Sequence, residues 1–170
     1  ASDVYKRQRE HKGHLDGLKM CYIGDGNNMA NSLIVGGLKS GMQVSVACPE
    51  GYRPDSRVLD FANNYAGFSM FTEPMEAASG ADVIFTDVWA SMGQEGEAEE
   101  RKKIFGGKYQ VNKELLAVAN SGCMVQHCLP AHRGEEITAD VFESHADEIF
   151  DEAENRLHAQ KAVMVTLMEK

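Results

Sequence analysis

No apolar run in this sequence approaches the roughly 20 residues that a membrane-crossing helix needs, which argues against a membrane span. Basic clusters are lacking too. With a formal net charge of -9 on 170 residues, the chain is ill suited to nucleic acid or to an anionic membrane surface. Cysteine is sparse, and four residues at scattered spacings do not make a disulfide framework in a chain of this size. A reducing compartment is the natural reading. There is no signal-peptide pattern and no initiator methionine. Residues 1–8, ASDVYKRQ, read as a remnant or truncation scar, and residues 1–17 as a polar tail and linker. The chain is therefore expected to be a piece of a longer protein.

What remains is an ordinary globular composition, 43% apolar and 25% charged, enough for one domain with a real core. From residue 18 to 170 strand and helix patterns alternate. Short apolar runs predict strands at Lys19–Ile23, Val44–Ala47, Phe68–Phe71, Asp82–Thr86 and Cys123–Cys128. Between and after them, helical spacing and end signals predict helices over Met29–Lys39, Asp55–Ala66, Pro74–Ser79, Glu95–Ile104, Asn112–Ala119, Thr138–Phe142 and Glu154–Met168. Caps are expected from Asp55 or Ser56 and from Thr138. Apolar strands of this length are buried on both faces. The fold class is α/β, a three-layer Rossmann-like domain with a mostly parallel sheet flanked by helices.

In such sheets ligands gather outside the carboxyl ends of the strands, which directs attention to the loops there. After the first strand comes Gly24-Asp25-Gly26-Asn27-Asn28. Its glycines permit a tight turn, and its asparagines lie at a helix N-terminus, suited either to capping or to an anionic group. The loop also half-matches a dinucleotide fingerprint, with Met29 in the third glycine position and Glu50 after the second strand as the ribose carboxylate. A dinucleotide-binding module is thus an alternative reading.

After the fourth strand comes Asp87-Val88-Trp89-Ala90-Ser91-Met92-Gly93-Gln94-Glu95. Asp87 suits a cationic group, Ser91 and Gly93 offer a hydroxyl and unhindered backbone, and Trp89 either closes over a ligand or fills the core. After the fifth strand comes His127-Cys128-Leu129-Pro130, where Leu129-Pro130 is a candidate cis bond. A zinc site from Cys123, His127, Cys128 and His132 is disfavoured: alternation puts Cys123 and His127 on one strand face and Cys128 on the other, and no C-x-x-C pair exists. Cys21, Cys48 and Cys123 read as small buried hydrophobes, His127 as a structural strand-end histidine, and residues 94–103 as a solvated helix face.

Together with Glu154-Asn155-Arg156, these segments resemble the ornithine carbamoyltransferases, from about Arg9 to Met168. His-Cys-Leu-Pro is characteristic of that family, and Ser-Met-Gly separates it from the aspartate carbamoyltransferases. The similar part is the C-terminal, ornithine-binding half. Nothing in the chain matches the Ser-Thr-Arg-Thr phosphate loop of the family's N-terminal, carbamoyl-phosphate half.

The resemblance implies attack of the neutral side-chain amine of L-ornithine on the carbonyl carbon of carbamoyl phosphate, giving L-citrulline and phosphate. It implies that Asn28, Asp87, Ser91 and Met92 hold the amino-acid end of ornithine. Cys128 would lie near the attacking amine, the Cys128 and Leu129 carbonyls on the carbamoyl NH₂, and Arg156 near the carbamoyl oxygen. No metal or organic cofactor is implied. The fragment would be inactive alone, and the full-length protein a homotrimer or larger. The compartment would be the cytoplasm, or the mitochondrial matrix in an animal. Putrescine or an acylated ornithine would be alternative substrates, with the Ser91-Met92-Gly93 loop favouring ornithine.

Overall fold

A computed structural model describes Tyr5, Gln8, residues 12–90, Gly93 and residues 95–169. Its centre is a parallel sheet of five strands: β1 (Lys19–Ile23), β2 (Gln43–Ala47), β3 (Phe68–Phe71), β4 (Val83–Thr86) and β5 (Met124–His127). Their spatial order is β3-β2-β1-β4-β5, all pairs parallel. The register sets Ile23 beside Ala47 and Thr86, and Thr86 beside His127. The carboxyl ends of the central strands therefore finish level, and the loops that leave them start from one edge.

Each strand alternates between two cores because successive side chains leave opposite faces. Met20, Tyr22, Val44, Val46 and Phe85 pack with Leu33, Ile34 and Leu38 of helix α1 (Asn28–Lys39). Cys21, Ile23, Ile84 and Val125 face Phe105, Leu115, Ile137, Val141 and Ile149 on the other side. Burying each large apolar side chain contributes about 1.5–3 kcal/mol, so two filled faces supply the three-layer architecture read from the sequence.

The remaining helices are α2 (Ser56–Ala62), α3 (Pro74–Ala78), α4 (Ala98–Phe105), α5 (Lys113–Leu116), α6 (Ala139–Ser144) and α7 (Ala146–Met168). Several depart from expectation. Helix α2 stops at Ala62 because the Asn64 amide donates to the Asp60 and Phe61 carbonyls that a further turn would need. Helix α4 starts only after a 3-10 turn at Glu95–Glu97, and α5 keeps a single turn after its cap, Asn112. Thr138 occupies the α6 cap position, but its hydroxyl makes no capping bond. Asp55 does cap α2, through Arg57 N–H. Helix α7 begins at Ala146, well before Glu154. Its polar first turns show few apolar residues, yet Ile149, Glu152 and Asn155 are buried. Among the described residues no helix is long and apolar enough to cross a membrane.

Candidate functional site

The loop after β1 divides its two asparagines between two tasks. Asn27 is the cap of α1: its Oδ1 accepts from Met29 N–H at 2.9 Å and Ala30 N–H at 3.2 Å. Asn28 is the first helical residue, exposed, and lines a cavity. The cap thus falls to Asn27, and Asn28 is the one of the pair that faces the cavity.

Asp87, one residue past β4, is buried. Its Oδ2 accepts from the Asn27 amide at 2.7 Å. Its Oδ1 accepts from Val88 N–H at 2.8 Å and from the Cys128 thiol at 2.9 Å. Asp87 and Cys128 come from strand ends that the register sets side by side. Burial, and then the charge of Asp87, push the Cys128 thiol far above its ordinary range, so at neutral pH the sulfur keeps its proton and donates it to the carboxylate.

Cys128 also lines a cavity of about 750 Å³ together with Asn28, Met29, Leu129, Pro130, Glu152 and Arg156. That volume fits a small-molecule site. Leu129-Pro130 is cis, as expected, and Leu129 has φ 55, a left-handed backbone that non-glycine residues seldom adopt. Two contacts brace this turn. Leu129 N–H donates to His127 Nδ1 at 2.9 Å. The other ring nitrogen, Nε2, therefore carries the hydrogen and donates to Glu136 Oε1 at 2.9 Å, where His132 N–H also donates at 2.7 Å. His127 and Glu136 are fully buried. The structural reading of His127 holds, and Glu136, which the sequence did not single out, is its partner.

The helix after the Asp87 loop is where the sequence reading needs correction. Residues 94–103 were expected to form a solvated face, but Arg101 is buried. Its Nη1 donates to Asp25 Oδ2 at 2.7 Å and to the Trp89 carbonyl at 2.8 Å; its Nε donates to Glu97 at 3.1 Å. Its guanidinium lies 5.0 Å from the centre of the Tyr52 ring. One side chain thus ties together the loops after β1, β2 and β4. Burial raises the Asp25 carboxyl, and Arg101 opposes that rise. An acid between two glycines and an arginine four residues after Glu97 were the available signals. Trp89 is core, stacked 5.9 Å from Phe105, and does not close over the cavity.

Of the residues singled out from the sequence, Asn28, Cys128, Leu129 and Arg156 share the cavity wall, and Asp87 reaches it through Cys128. Ser91 and Met92 lie outside the described residues. The zinc set considered above does not assemble: among the described residues, donor atoms of Asp87, His127 and Cys128 lie within 4.8 Å of one another, without Cys123 or His132. Both His127 nitrogens and the Cys128 thiol proton are already engaged.

The dinucleotide alternative meets a steric objection. A Cβ on Gly26 would lie 2.3 Å from the Arg53 carbonyl carbon and the Pro54 nitrogen. The room made by this glycine is occupied by the chain's own 52–54 segment, not left for a pyrophosphate.

Comparisons with known proteins identify the family to which the chain belongs. Residues 16–167 match the family profile described as "Aspartate/ornithine carbamoyltransferase, Asp/Orn binding domain". A protein of Thermococcus kodakarensis named ornithine carbamoyltransferase is 54% identical over 169 residues, which cover 96% of this chain and 53% of the relative. The solved ornithine carbamoyltransferase of Pyrococcus furiosus superposes with TM-score 0.86 at 51% identity, over 96% of this chain and 54% of that one. The anabolic enzyme of Campylobacter jejuni gives TM-score 0.91 at 36% identity, over 99% and 57% of the two chains. The chain spans about half the length of the curated relatives it matches.

Proposed function

The chain belongs to the aspartate/ornithine carbamoyltransferase family as its Asp/Orn binding domain, and from that premise we propose that it is the ornithine-binding half of an ornithine carbamoyltransferase. The full-length protein would transfer the carbamoyl group of carbamoyl phosphate to the side-chain amine of L-ornithine, releasing L-citrulline and phosphate. The observation that carries the reading is the Asp87–Cys128 contact of 2.9 Å behind a cavity that Asn28, Leu129 and Arg156 also line. An amide, a carboxylate, a thiol and a guanidinium around one small cavity match the groups of a zwitterionic amino acid and an acyl phosphate.

Asn28 and the Met92 N–H take the ornithine carboxylate, Asp87 takes the α-amino group, and Ser91 contacts the same amino-acid end. The side-chain amine then lies by Cys128. An amine of pKa about 10 is almost wholly protonated at pH 7, so a proton must leave before or during attack. With its S–H turned toward Asp87, the Cys128 sulfur presents only lone pairs to that amine. The C–N bond forms and negative charge gathers on the carbamoyl oxygen beside Arg156, whose permanent cation suits it. The C–O bond to phosphate then breaks, and phosphate leaves with the electron pair and takes up the proton that the attacking nitrogen sheds. The Cys128 and Leu129 carbonyls hold the carbamoyl NH₂. Holding the two substrates in place supplies much of the remaining acceleration.

The carbamoyl-phosphate half of the protein completes the site. The far part of α7, where Leu157, Val163, Met164, Val165, Leu167 and Met168 are exposed, packs against it. The full-length protein assembles as a homotrimer or larger and acts in arginine metabolism or the urea cycle. It works in the cytoplasm, or in the mitochondrial matrix in an animal.

The test is turnover. The full-length protein should make citrulline from ornithine and carbamoyl phosphate, and the 170-residue chain alone should not. Calorimetric titrations with L-ornithine or L-norvaline, beside one with NAD, check specificity. A full-length protein that made no citrulline, or that bound NAD and not ornithine, would overturn the reading.

A further inference from the structure

We propose that Asn27 is a positioning residue for the ornithine site: through one side-chain amide it couples the start of α1 to the Asp87 carboxylate and fixes the plane in which Asp87 meets its ligand. The inference rests on the ornithine-binding reading above and adds a residue that does not line the cavity.

The two ends of the Asn27 amide have different partners. Oδ1 accepts from the N–H groups of Met29 and Ala30, two of the backbone donors that a helix start leaves unpaired. This identifies the oxygen. A flipped amide would set its NH₂ against two N–H donors. With Oδ1 committed to the helix, Nδ2 points to Asp87 and donates to Oδ2 at 2.7 Å, across 60 residues of sequence. Tyr22 steadies the same turn from beneath, donating to the Asp25 carbonyl at 2.8 Å.

Asp87 is thereby held on both sides. Oδ2 is tied to Asn27, while Oδ1 is tied to its own loop and to Cys128. A carboxylate bonded at only one oxygen is free to swing about its last side-chain torsion. Bonds at both oxygens remove that freedom, and ordering a binding group in advance is what preserves affinity. A serine or aspartate at position 27 would cap α1 as well as asparagine does. Neither of them offers the charge-assisted donor that reaches Asp87. Capping alone therefore does not account for asparagine here.

This difference makes the proposal testable in the full-length protein with Asn27→Ser and Asn27→Asp. Both keep the cap, so Asn27→Ser should melt within a few degrees of the unsubstituted protein, and Asn27→Asp lower by the repulsion from Asp87. Asn27→Ser removes the donor, and Asn27→Asp sets a carboxylate against a carboxylate. The KM for ornithine should rise about tenfold or more in each, the size of a lost charge-assisted hydrogen bond. The KM for carbamoyl phosphate should stay as it was. In an Asp87→Asn background, Asn27→Ser should weaken L-norvaline binding no further, because the two residues act as one unit. Two variants with an unchanged ornithine KM would overturn the proposal. So would a parallel loss for both substrates accompanied by a large drop in melting temperature, which marks a fold role only. Failure of the underlying reading looks different, since the unsubstituted protein itself would then make no citrulline.

Discussion

The Cys128 thiol donates to Asp87 Oδ1 across 2.9 Å, linking positions 41 apart in the chain. The sulfur's proton is held twice over, by burial and by the neighbouring charge. Thiolates, not thiols, react with alkylating agents. Cys128 should therefore label slowly with iodoacetamide at pH 8, although it is the most exposed of the four cysteines. Asp87→Asn removes the charge and should speed labelling severalfold. Mass spectrometry of the labelled peptides reads both rates, with buried Cys21, Cys48 and Cys123 as slow internal references. An equal rate in the variant would assign the whole effect to burial.

Arg101 and Asp25 form an ion pair whose side chains are only 7% and 10% exposed. Removing one partner of such a pair strands the other, at a cost of about 3–5 kcal/mol. Arg101→Met should show that loss in urea denaturation at pH 8. The pH dependence has a definite sign. Asp25 is already raised by burial, and losing Arg101 raises it further. A carboxyl with a higher pKa folded than unfolded holds its proton better in the folded state. The variant is then most stable near the unfolded value of about 4 and loses stability as pH rises through the folded value. Its deficit should shrink between pH 8 and pH 5.

Gly26→Ala tests the crowding at the first loop. The added methyl would meet the backbone of Arg53 and Pro54 at 2.3 Å, and neither can yield as a flexible side chain would. Overpacking of this kind costs about 1–3 kcal/mol or more. Denaturant unfolding should record it, together with weaker ornithine binding, since Asn27 and Asn28 follow directly.

Arg156 is exposed on α7 and lines the cavity. In the full-length protein Arg156→Ala should lower kcat by about 10²–10³, the usual loss for one oxyanion donor. Stability should change by no more than about 0.5 kcal/mol. Arg156→Lys should recover part of the rate at most, because a point charge replaces a planar fork. Steady-state kinetics with a melting curve checks both.

Much of this was legible in the sequence, and the reason is local. Runs such as Val83–Phe85 announce a buried strand without help from the rest of the chain, and the parallel-sheet rule then names the loops that matter. What was not legible depends on partners far away. Arg101 looks like any charge on a polar helix until Asp25 arrives 76 residues earlier in the chain. Glu136 looks like surface until His127 faces it. The first turns of α7 were missed because Ile149 is the one apolar residue buried in a stretch otherwise rich in acids. Asn27 and Asn28 were both noticed, but which one caps and which faces the cavity turns on a single residue of helical phase.

Helix α7 runs unbroken from Ala146 to Met168. It carries Arg156 partway along, and about 18 Å of rod follows that residue at 1.5 Å per residue. A long helix of this kind tilts as one body sooner than it bends. Anything that grips its apolar far end therefore has a lever on the guanidinium, and a small rocking at the tip shifts the cation relative to the Cys128 sulfur. On the proposed reading, docking at one end and charge placement at the other would be mechanically one event.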